Sequence, residues 1–385
     1  MNGYTMKLGV ACALVMMAIA GQCAEAKAPL ERLGNETEAE KTARMAWWTH
    51  DRFGMFIHFG LYALPARHEW IRNYEAIDNE TYDSKYLPRF NPDLFDAKDW
   101  AKWAKRAGMK YVVLTTKHHE GFCLWDSKLT DYKITNTPFK RDLVKEYVEA
   151  CRAEGLKVGF YHSVIDWHHP DFTLDKVHPR KPWEGPQWST PPTNAVELLA
   201  KANEGRDMKR YQKYLHGQVE ELLTNYGKID ILWFDSEGSA SPTAPRELFE
   251  LVRSLQPEII VNNRHCVFAP DESHCLVNDM AMYATPEQFV GAYSKNVPWE
   301  TNSTTASSRQ WSIRYGDAPR PVDDMIWEIM GAPAGNGNFL MNVGPDSLGV
   351  IPPAYAESLE KIGDWIRQHD GILYGTHAGP WKPAK

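Results

Sequence analysis

Short apolar runs alternate with longer amphipathic segments along most of the 385-residue chain. The apolar runs are rich in β-branched and aromatic residues, whereas the segments between them carry apolar side chains at helical spacing. The predicted strands are 53–62, 110–116, 157–161, 229–234, 259–262, 276–278 and 339–343. The predicted helices are 94–108, 142–155, 207–227, 245–257 and 353–370. This alternation predicts repeated β-α units around a parallel sheet.

The segments that connect these elements indicate which type of α/β fold the chain adopts. No glycine-rich phosphate loop follows the first predicted strand, which argues against a doubly wound nucleotide-binding fold and favours a (β/α)8-type barrel. We expect one catalytic barrel domain over 27–385. The proline-rich segment 167–203 is predicted to be a long loop between a strand and a helix, a place where barrels build sites.

The first 26 residues have the pattern of a secretory signal peptide. Lys7 precedes an apolar run at 8–20, which is shorter than the roughly 20 residues that a membrane-spanning helix needs. An A-x-A cleavage pattern follows at 24–26, and the glutamine before Cys23 disfavours lipidation of that cysteine. The sequence therefore predicts export to the periplasm or the medium.

Composition and charge limit the partners of the mature domain. The chain is 43% hydrophobic, as expected of a globular protein. Its 43 basic and 50 acidic residues give a net charge of -7, so a nucleic-acid partner is not expected. The chain contains 15 Trp and 17 Tyr, whose flat rings offer surfaces on which sugars stack, although aromatic residues more often fill cores.

Polar residues follow the predicted strands where each strand ends, and in a barrel these positions share one mouth. The residues so placed include His58, His118, His119, Tyr161, Asp235, Asn262, Asn263 and Arg264. Hydrogen-bonding groups from many strands, in a pocket rimmed with tryptophan, suit a polyol better than an apolar ligand.

Asp235 is the strongest single candidate for chemistry, because it ends an apolar run and must be solvated in a cleft or paired. The alternative is a helix cap or a loop ion pair. A retaining glycosidase needs a nucleophilic carboxylate and a second, protonatable one held about 5 to 5.5 Å away. Glu287, Glu300 and Glu69 are candidates for the second group.

Each of these glutamates also has a plain structural interpretation. Glu287 lies in the segment 285–288 (Thr-Pro-Glu-Gln), which reads equally well as the capping box of a helix. Glu300 follows a tryptophan and could face solvent from a strand. Glu69 lies in the loop after the first strand, where a ligand contact and an ordinary surface position are both plausible.

The histidines and cysteines lack the spacing of a metal site. His58, His118, His119 and Asp235 could surround Zn²⁺, but adjacent residues at a strand end point in different directions. The sequence contains neither H-x-H nor H-E-x-x-H, so hydrogen bonding of these histidines to substrate hydroxyls is favoured over a metal site. After removal of the signal peptide the cysteines are Cys123, Cys151, Cys266 and Cys275, of which the last two could pair.

Four ordered blocks resemble the α-L-fucosidases of glycoside hydrolase family 29. They are 52–62 (RFGMFIHFGLY), 117–122 (KHHEGF), 232–235 (LWFD) and 335–345 (GNGNFLMNVGP). The resemblance covers about residues 41–377. It implies hydrolysis of terminal α-L-fucosyl residues by a retaining double displacement without a metal or organic cofactor. The implied partner is a fucosylated oligosaccharide or glycoconjugate.

The resemblance also implies roles for particular residues. Asp235 matches the family nucleophile, and Glu287 matches the usual place of the acid/base, with Glu300 as the second choice. The implied fucose contacts are His58, Glu69, Trp70, His118, His119, Tyr161, Arg264 and Trp311. The Thr-Pro-Glu-Gln form at 285–288 is similar to the subgroup that cleaves branched α-1,3/1,4-linked fucose.

Two features depart from the family pattern. Many members read Asn-Asp-Arg where this chain has Asn262, Asn263 and Arg264, so a carboxylate that could orient the arginine is replaced by an amide. The usual C-terminal β-sandwich is not expected within the chain. Two other function classes remain open at this point: a metal-dependent barrel hydrolase, and a catalytically silent sugar-binding protein that tolerates loss of Asp235.

Overall fold

The computed structural model describes residues 36–184, 190–235, 245–264 and 282–379. The predicted signal peptide at 1–26, the predicted strand at 276–278, and Cys23, Cys266 and Cys275 lie outside these ranges. Cys123 and Cys151 are both buried free thiols.

Parallel strands form a single curled sheet in the described part of the chain. The strands are β1 (Phe53–Ile57), β2 (Tyr111–Lys117), β3 (Lys157–Ser163), β4 (Ile231–Asp235), β5 (Ile260–Val261), β6 (Glu300–Thr304) and β7 (Asn338–Val343). Their order across the sheet is β5-β4-β3-β2-β1-β7-β6, and every pairing is parallel. The strands are almost entirely buried, so their side chains fill the barrel and the layer beneath the helices.

The segment 282–288 lies between the two edges of the sheet and closes it into a barrel. The Met282 amide donates to the Val261 carbonyl over 3.0 Å, on the β5 side. On the β6 side, the Asn302 amide donates to the Pro286 carbonyl over 3.0 Å. This segment takes the place of an eighth strand, which confirms the predicted (β/α)8-type fold. The alternative of a capped helix beginning at Thr285 is wrong, because these backbone groups pair with strands instead.

Ten helices surround the sheet in the described ranges. They are α1 (Glu38–Asp51), α2 (Ile71–Tyr74), α3 (Asn79–Tyr86), α4 (Ala97–Arg106), α5 (Leu143–Ala153), α6 (Ala195–Ala202), α7 (Met208–Asn225), α8 (Pro245–Leu255), α9 (Val322–Ala334) and α10 (Pro353–Gln368). All five predicted helices are present. The first of them begins at Ala97, three residues later than predicted, because the Asp96 side chain caps it by accepting from the Lys98 amide.

Several elements differ from the prediction. The first strand ends at Ile57, because Leu61–Ala63 forms a 3₁₀ turn. The strand β6 was not predicted, since its sequence is polar throughout although every residue is buried. The helix α6 lies inside the segment predicted as a loop at 167–203. No helix in the described part of the chain is long and apolar enough to cross a membrane.

Candidate active site

Asp235 is the last residue of β4, and its side chain is buried at the carboxyl end of the barrel. The Tyr161 hydroxyl donates to Asp235 Oδ2 over 2.9 Å, and Arg264 Nη1 donates to Oδ1 over 3.3 Å. His119 Nε2 lies 3.6 Å from Oδ2. Tyr161 and Arg264 therefore hold the carboxylate in place, as a fixed nucleophile requires, and His119 lies beside it.

Opposing effects act on the pKa of Asp235. Burial raises the pKa above its ordinary value, whereas the positive charge of Arg264 and the hydrogen bond from Tyr161 lower it. A carboxylate attacks only in its ionised form, so Arg264 and Tyr161 are the groups that oppose the effect of burial and favour the reactive state.

Arg264 joins the two candidate catalytic carboxylates. Its Nη2 donates to Glu287 Oε2 over 2.6 Å, while its Nη1 contacts Asp235. Thr285 orients the same guanidinium, because its hydroxyl accepts from Nε over 2.9 Å and its carbonyl from Nη2 over 3.2 Å. Asp235 and Glu287 thus lie on two nitrogens of one guanidinium, which places them on the same side of the mouth.

The missing family carboxylate at position 263 does not leave Arg264 without orientation. The Asn263 amide oxygen accepts from the Thr285 hydroxyl over 3.0 Å, and Thr285 in turn contacts the guanidinium. The guanidinium also lies over the face of Trp233, 5.0 Å from the ring centroid. Asn263 therefore acts on Arg264 through Thr285.

Three histidines line the mouth as neutral side chains. Burial is the main reason that the pKa of His58 and the pKa of His119 are each lowered to about 3, and burial also holds the pKa of His118 well below its ordinary value. The ring of His118 stacks on Tyr161 with centroids 5.6 Å apart, and His58 lies 5.7 Å from His118. Neutral imidazoles can accept hydrogen bonds from hydroxyls, which suits a polyol ligand.

Aromatic side chains complete the wall of the pocket. Trp70 is buried with its ring 5.2 Å from that of His119, and the ring of Trp311 lies 5.2 Å from that of His58. Tyr161 stacks on Trp233 with centroids 5.6 Å apart. The structure thus brings both predicted tryptophans against predicted histidines.

Glu69 binds the backbone of the loop that carries Trp311. Its Oε2 accepts from the backbone amides of Trp311 and Ser312, over 3.1 and 3.0 Å. The side chain is buried, and its Oε1 lies 3.5 Å from His68 Nδ1. The predicted sugar contact therefore shares its carboxylate with the backbone of the loop that carries Trp311.

Glu300 lies at the opposite end of the barrel from Asp235. It is the first residue of β6, and its partner Tyr111, which donates to Oε2 over 2.5 Å, is the first residue of β2. Because the strands are parallel, both belong to the amino end of the sheet. Glu300, the second choice for the acid/base, is thus a buried core carboxyl remote from the mouth.

Glu300 should make stability depend on pH. Burial raises the pKa of its carboxyl from 4.5 to about 7, against the hydrogen bond from Tyr111. As pH rises through this range, the folded carboxyl keeps a proton that the unfolded chain has released, so the free energy of unfolding should fall. Glu300→Gln has no such proton, and guanidinium denaturation across this range should show a flatter dependence. Identical slopes for the two proteins would contradict this.

Sequence reasoning missed several residues that shape the site. Trp233, Thr285, Ser163 and Asn342 all contact predicted site residues. Ser163 follows Tyr161 at the end of the third predicted strand, so its position was an available signal, whereas Asn342 lies within the last predicted strand. Their partners could not be predicted, because each contact joins residues far apart in sequence.

No group of three or more His, Cys, Asp or Glu side chains in the described ranges is arranged to hold a metal ion. His119 and His58 instead pair through Nδ1 with Ser163 and Asn342. We expect activity to survive prolonged dialysis against EDTA. Full loss of activity that Zn²⁺ restores would favour a metal-dependent hydrolase.

A parallel barrel with two carboxylates on one arginine, neutral imidazoles and aromatic rings at its mouth has the arrangement of a glycoside hydrolase. The family model for alpha-L-fucosidase matches residues 20–371. The chain therefore belongs to the α-L-fucosidases of glycoside hydrolase family 29. This confirms the family expected from the four sequence blocks.

Known relatives agree with this assignment. The alpha-L-fucosidase of Dictyostelium discoideum is 27% identical over 368 residues, which cover 87% of this chain and 72% of the relative. The alpha-L-fucosidase isoenzyme 1 of Paenibacillus thiaminolyticus has a TM-score of 0.77 and 42% identity, and the match covers 89% of this chain and 79% of that one.

A third relative was solved as a trapped intermediate. It is a family 29 fucosidase of Bacteroides thetaiotaomicron, described as a covalent intermediate with 2-fluoro-fucosyl fluoride. Its TM-score is 0.74 at 28% identity, and the match covers 88% of this chain and 78% of that one.

Proposed function

We propose that this α-L-fucosidase cleaves terminal fucosyl residues with retention, with Asp235 as nucleophile and Glu287 as acid/base. The observation that carries the proposal is the bridge of Arg264 between the two carboxylates, at 3.3 and 2.6 Å. One guanidinium brings the two groups to the same pocket, as the short separation in retaining enzymes requires. The covalent intermediate of the Bacteroides relative supports the same course.

Two displacements at the anomeric carbon account for retention. In the first, Asp235 attacks that carbon, its bond to the leaving oxygen breaks, and Glu287 gives its proton to the leaving oxygen. In the second, Glu287 takes a proton from water as the water oxygen attacks, and the bond to Asp235 breaks. Each step inverts the carbon, so the released sugar keeps the α configuration.

The contact with Arg264 bears on how Glu287 acts as an acid. Arg264 Nη2 occupies Glu287 Oε2 at 2.6 Å, whereas an acid must lie within hydrogen-bond reach of the leaving oxygen. The Glu287 side chain is 37% exposed, whereas that of Asp235 is 10% exposed, so Glu287 has room to turn away. We propose that a bound fucoside separates Glu287 from Arg264 and brings it to the leaving oxygen. Catalytic hydrogen bonds are often absent or long in an enzyme without substrate and form only in the substrate complex.

We propose branched α-1,3/1,4-linked fucose as the natural target. The support is the Thr-Pro-Glu-Gln sequence at 285–288, which is similar to the corresponding subgroup. The enzyme should therefore release fucose faster from branched oligosaccharides than from an α-1,2-linked one of matched concentration. Equal or reversed rates would reject this linkage.

The test of the retaining mechanism is the anomer released first. Proton NMR during hydrolysis of an aryl α-L-fucoside should show α-fucose before mutarotation produces the β anomer. Initial β-fucose would show a single displacement and would remove the nucleophilic role of Asp235.

We also propose that the chain is exported. The support is the order of features within residues 1–26, where a lysine is followed by an apolar run and then by an A-x-A cleavage pattern. After expression in a bacterial host with a secretion pathway, the periplasmic protein should begin at residue 27. Intact protein that stays in the cytoplasm would count against export.

A further inference from the structure

The contacts of Ser163 determine which ring nitrogen of His119 carries the proton. The Ser163 hydroxyl donates to the Ile165 carbonyl over 2.7 Å, and His119 Nδ1 lies 2.6 Å from the same oxygen. Because the carbonyl can only accept, the serine proton is used there, and the short contact to His119 requires a proton on Nδ1. In a neutral imidazole this leaves His119 Nε2 without a proton.

The free nitrogen of His119 faces the reacting centre. Nε2 is buried, lies 3.6 Å from Asp235 Oδ2, and has no hydrogen-bond partner among the described residues. Two acceptor atoms face each other across this space. A hydroxyl that donates to Nε2 would satisfy the nitrogen, and a sugar held for attack by Asp235 brings hydroxyls to this position.

His58 is fixed in the same way by an amide. Asn342 Nδ2 donates to the Trp311 carbonyl over 2.6 Å, which identifies the other amide atom as the oxygen. That oxygen lies 2.7 Å from His58 Nδ1, so Nδ1 carries the proton. Neutral His58 therefore also has an unprotonated Nε2.

We propose that Ser163 and Asn342 are positioning residues that fix both histidines with the proton on Nδ1, so that both Nε2 atoms accept from sugar hydroxyls. The role in sugar binding rests on the proposed function. The hydroxyls of fucose would then donate to the two histidines. Arg264 can only donate, so it would bind sugar oxygens that accept. Neither Ser163 nor Asn342 needs to touch the substrate.

The proton positions can be measured without any sugar. Nitrogen NMR of protein labelled in histidine separates ring nitrogens that carry a proton from those that do not. The signals are assigned by their loss in His119→Gln and His58→Gln. We expect a protonated Nδ1 and an unprotonated Nε2 on both rings. A protonated Nε2 on either ring of the wild-type enzyme would overturn the proposal for that ring.

Ser163→Ala tests the role of the serine. With no acceptor at Nδ1, the remaining acceptor is Asp235 Oδ2, so the His119 proton should move to Nε2. The matched control is Thr116→Val, because the Thr116 hydroxyl pairs in the same way with His162 Nδ1 at 3.1 Å. This control should leave the His119 signals unchanged. An unmoved proton in Ser163→Ala would show that Ser163 does not position the ring.

Fluorinated sugars test whether the nitrogens accept. Fluorine cannot donate, so at the hydroxyls bound by the histidines both the deoxy and the deoxyfluoro analogue of L-fucose should inhibit about 10-fold more weakly than L-fucose. In Ser163→Ala the deficit at the His119 hydroxyl should shrink. If fluorinated analogues match L-fucose at every position, the histidines do not accept. If neither L-fucose nor any analogue inhibits the enzyme, both the proposed function and the proposed role of the histidines in sugar binding are rejected. The proton positions measured by NMR are independent of that result.

Discussion

Asp235→Asn should lower kcat on an aryl α-L-fucoside by at least about 10³-fold, because the amide keeps the shape of the side chain but cannot form the fucosyl-enzyme. The surrounding contacts survive in part, since Tyr161 can still donate to the remaining oxygen at this position. Binding of L-fucose should therefore change far less than kcat. Activity within 10-fold of the wild type would reject Asp235 as the nucleophile.

A matched variant separates the carboxylate from its support. Tyr161→Phe removes the hydrogen bond of 2.9 Å to Asp235 Oδ2 but leaves the carboxylate in place. Its loss of kcat should be about 10-fold, as expected for one hydrogen bond to a charged group. The acidic side of the pH profile should also move upward, because this hydrogen bond lowers the pKa of Asp235.

Small anions give Asp235 a second test. In Asp235→Gly the space left by the side chain lies on the face from which the nucleophile attacks. Azide bound there should displace the aryl group directly and release the β-fucosyl azide. Formation of the α-fucosyl azide instead would place the nucleophile elsewhere.

The sequence predicted the mouth of the barrel because the relevant residues follow strong apolar strands. Asp235, at the end of Ile231–Asp235, and His58, after Phe53–Ile57, are examples. In an all-parallel sheet, the polar residue that follows a buried run reaches the carboxyl end whatever the details of the loops. Periodicity alone therefore located much of the site.

The two strand segments next to the candidate acid/base could not be predicted in this way. Residues 282–288 carry a capping-box sequence, yet their amides pair with β5 and β6. The strand β6 is polar but buried, and its side chains pair with groups distant in sequence: the Thr301 hydroxyl donates to the Phe289 carbonyl over 3.0 Å. Tertiary contacts of this kind leave no local pattern in hydrophobicity.

The choice between Glu287 and Glu300 depended on which end of a strand each occupies. Because β6 was not recognised from the sequence, Glu300 remained a candidate for a position at the mouth of the barrel. In the structure it begins that strand, whereas Glu287 forms a parallel bridge with Asn302, two residues further along β6. A difference of two positions along a parallel strand thus separates a core carboxyl from a candidate acid/base.

Glu287→Ala should leave the first step nearly intact on a substrate whose leaving group is already a stable anion. Natural glycans should lose about 10²- to 10⁴-fold in kcat, because a sugar alkoxide leaves only with a proton. The fucosyl-enzyme should then accumulate, since no base activates water. The Arg264 guanidinium, released from its contact of 2.6 Å with Glu287, should also help to draw an anion into the vacated space.

Azide should therefore restore turnover of the activated fucoside in Glu287→Ala and release the α-fucosyl azide, because it attacks the fucosyl-enzyme from the face that water would use. The azide anomer thus distinguishes this variant from Asp235→Gly. Glu300→Ala provides the control: removal of a buried carboxyl bonded to Tyr111 should destabilise the fold by about 2–5 kcal/mol, and azide should not raise its activity. Rescue at Glu300 without rescue at Glu287 would show that the acid/base assignment is wrong.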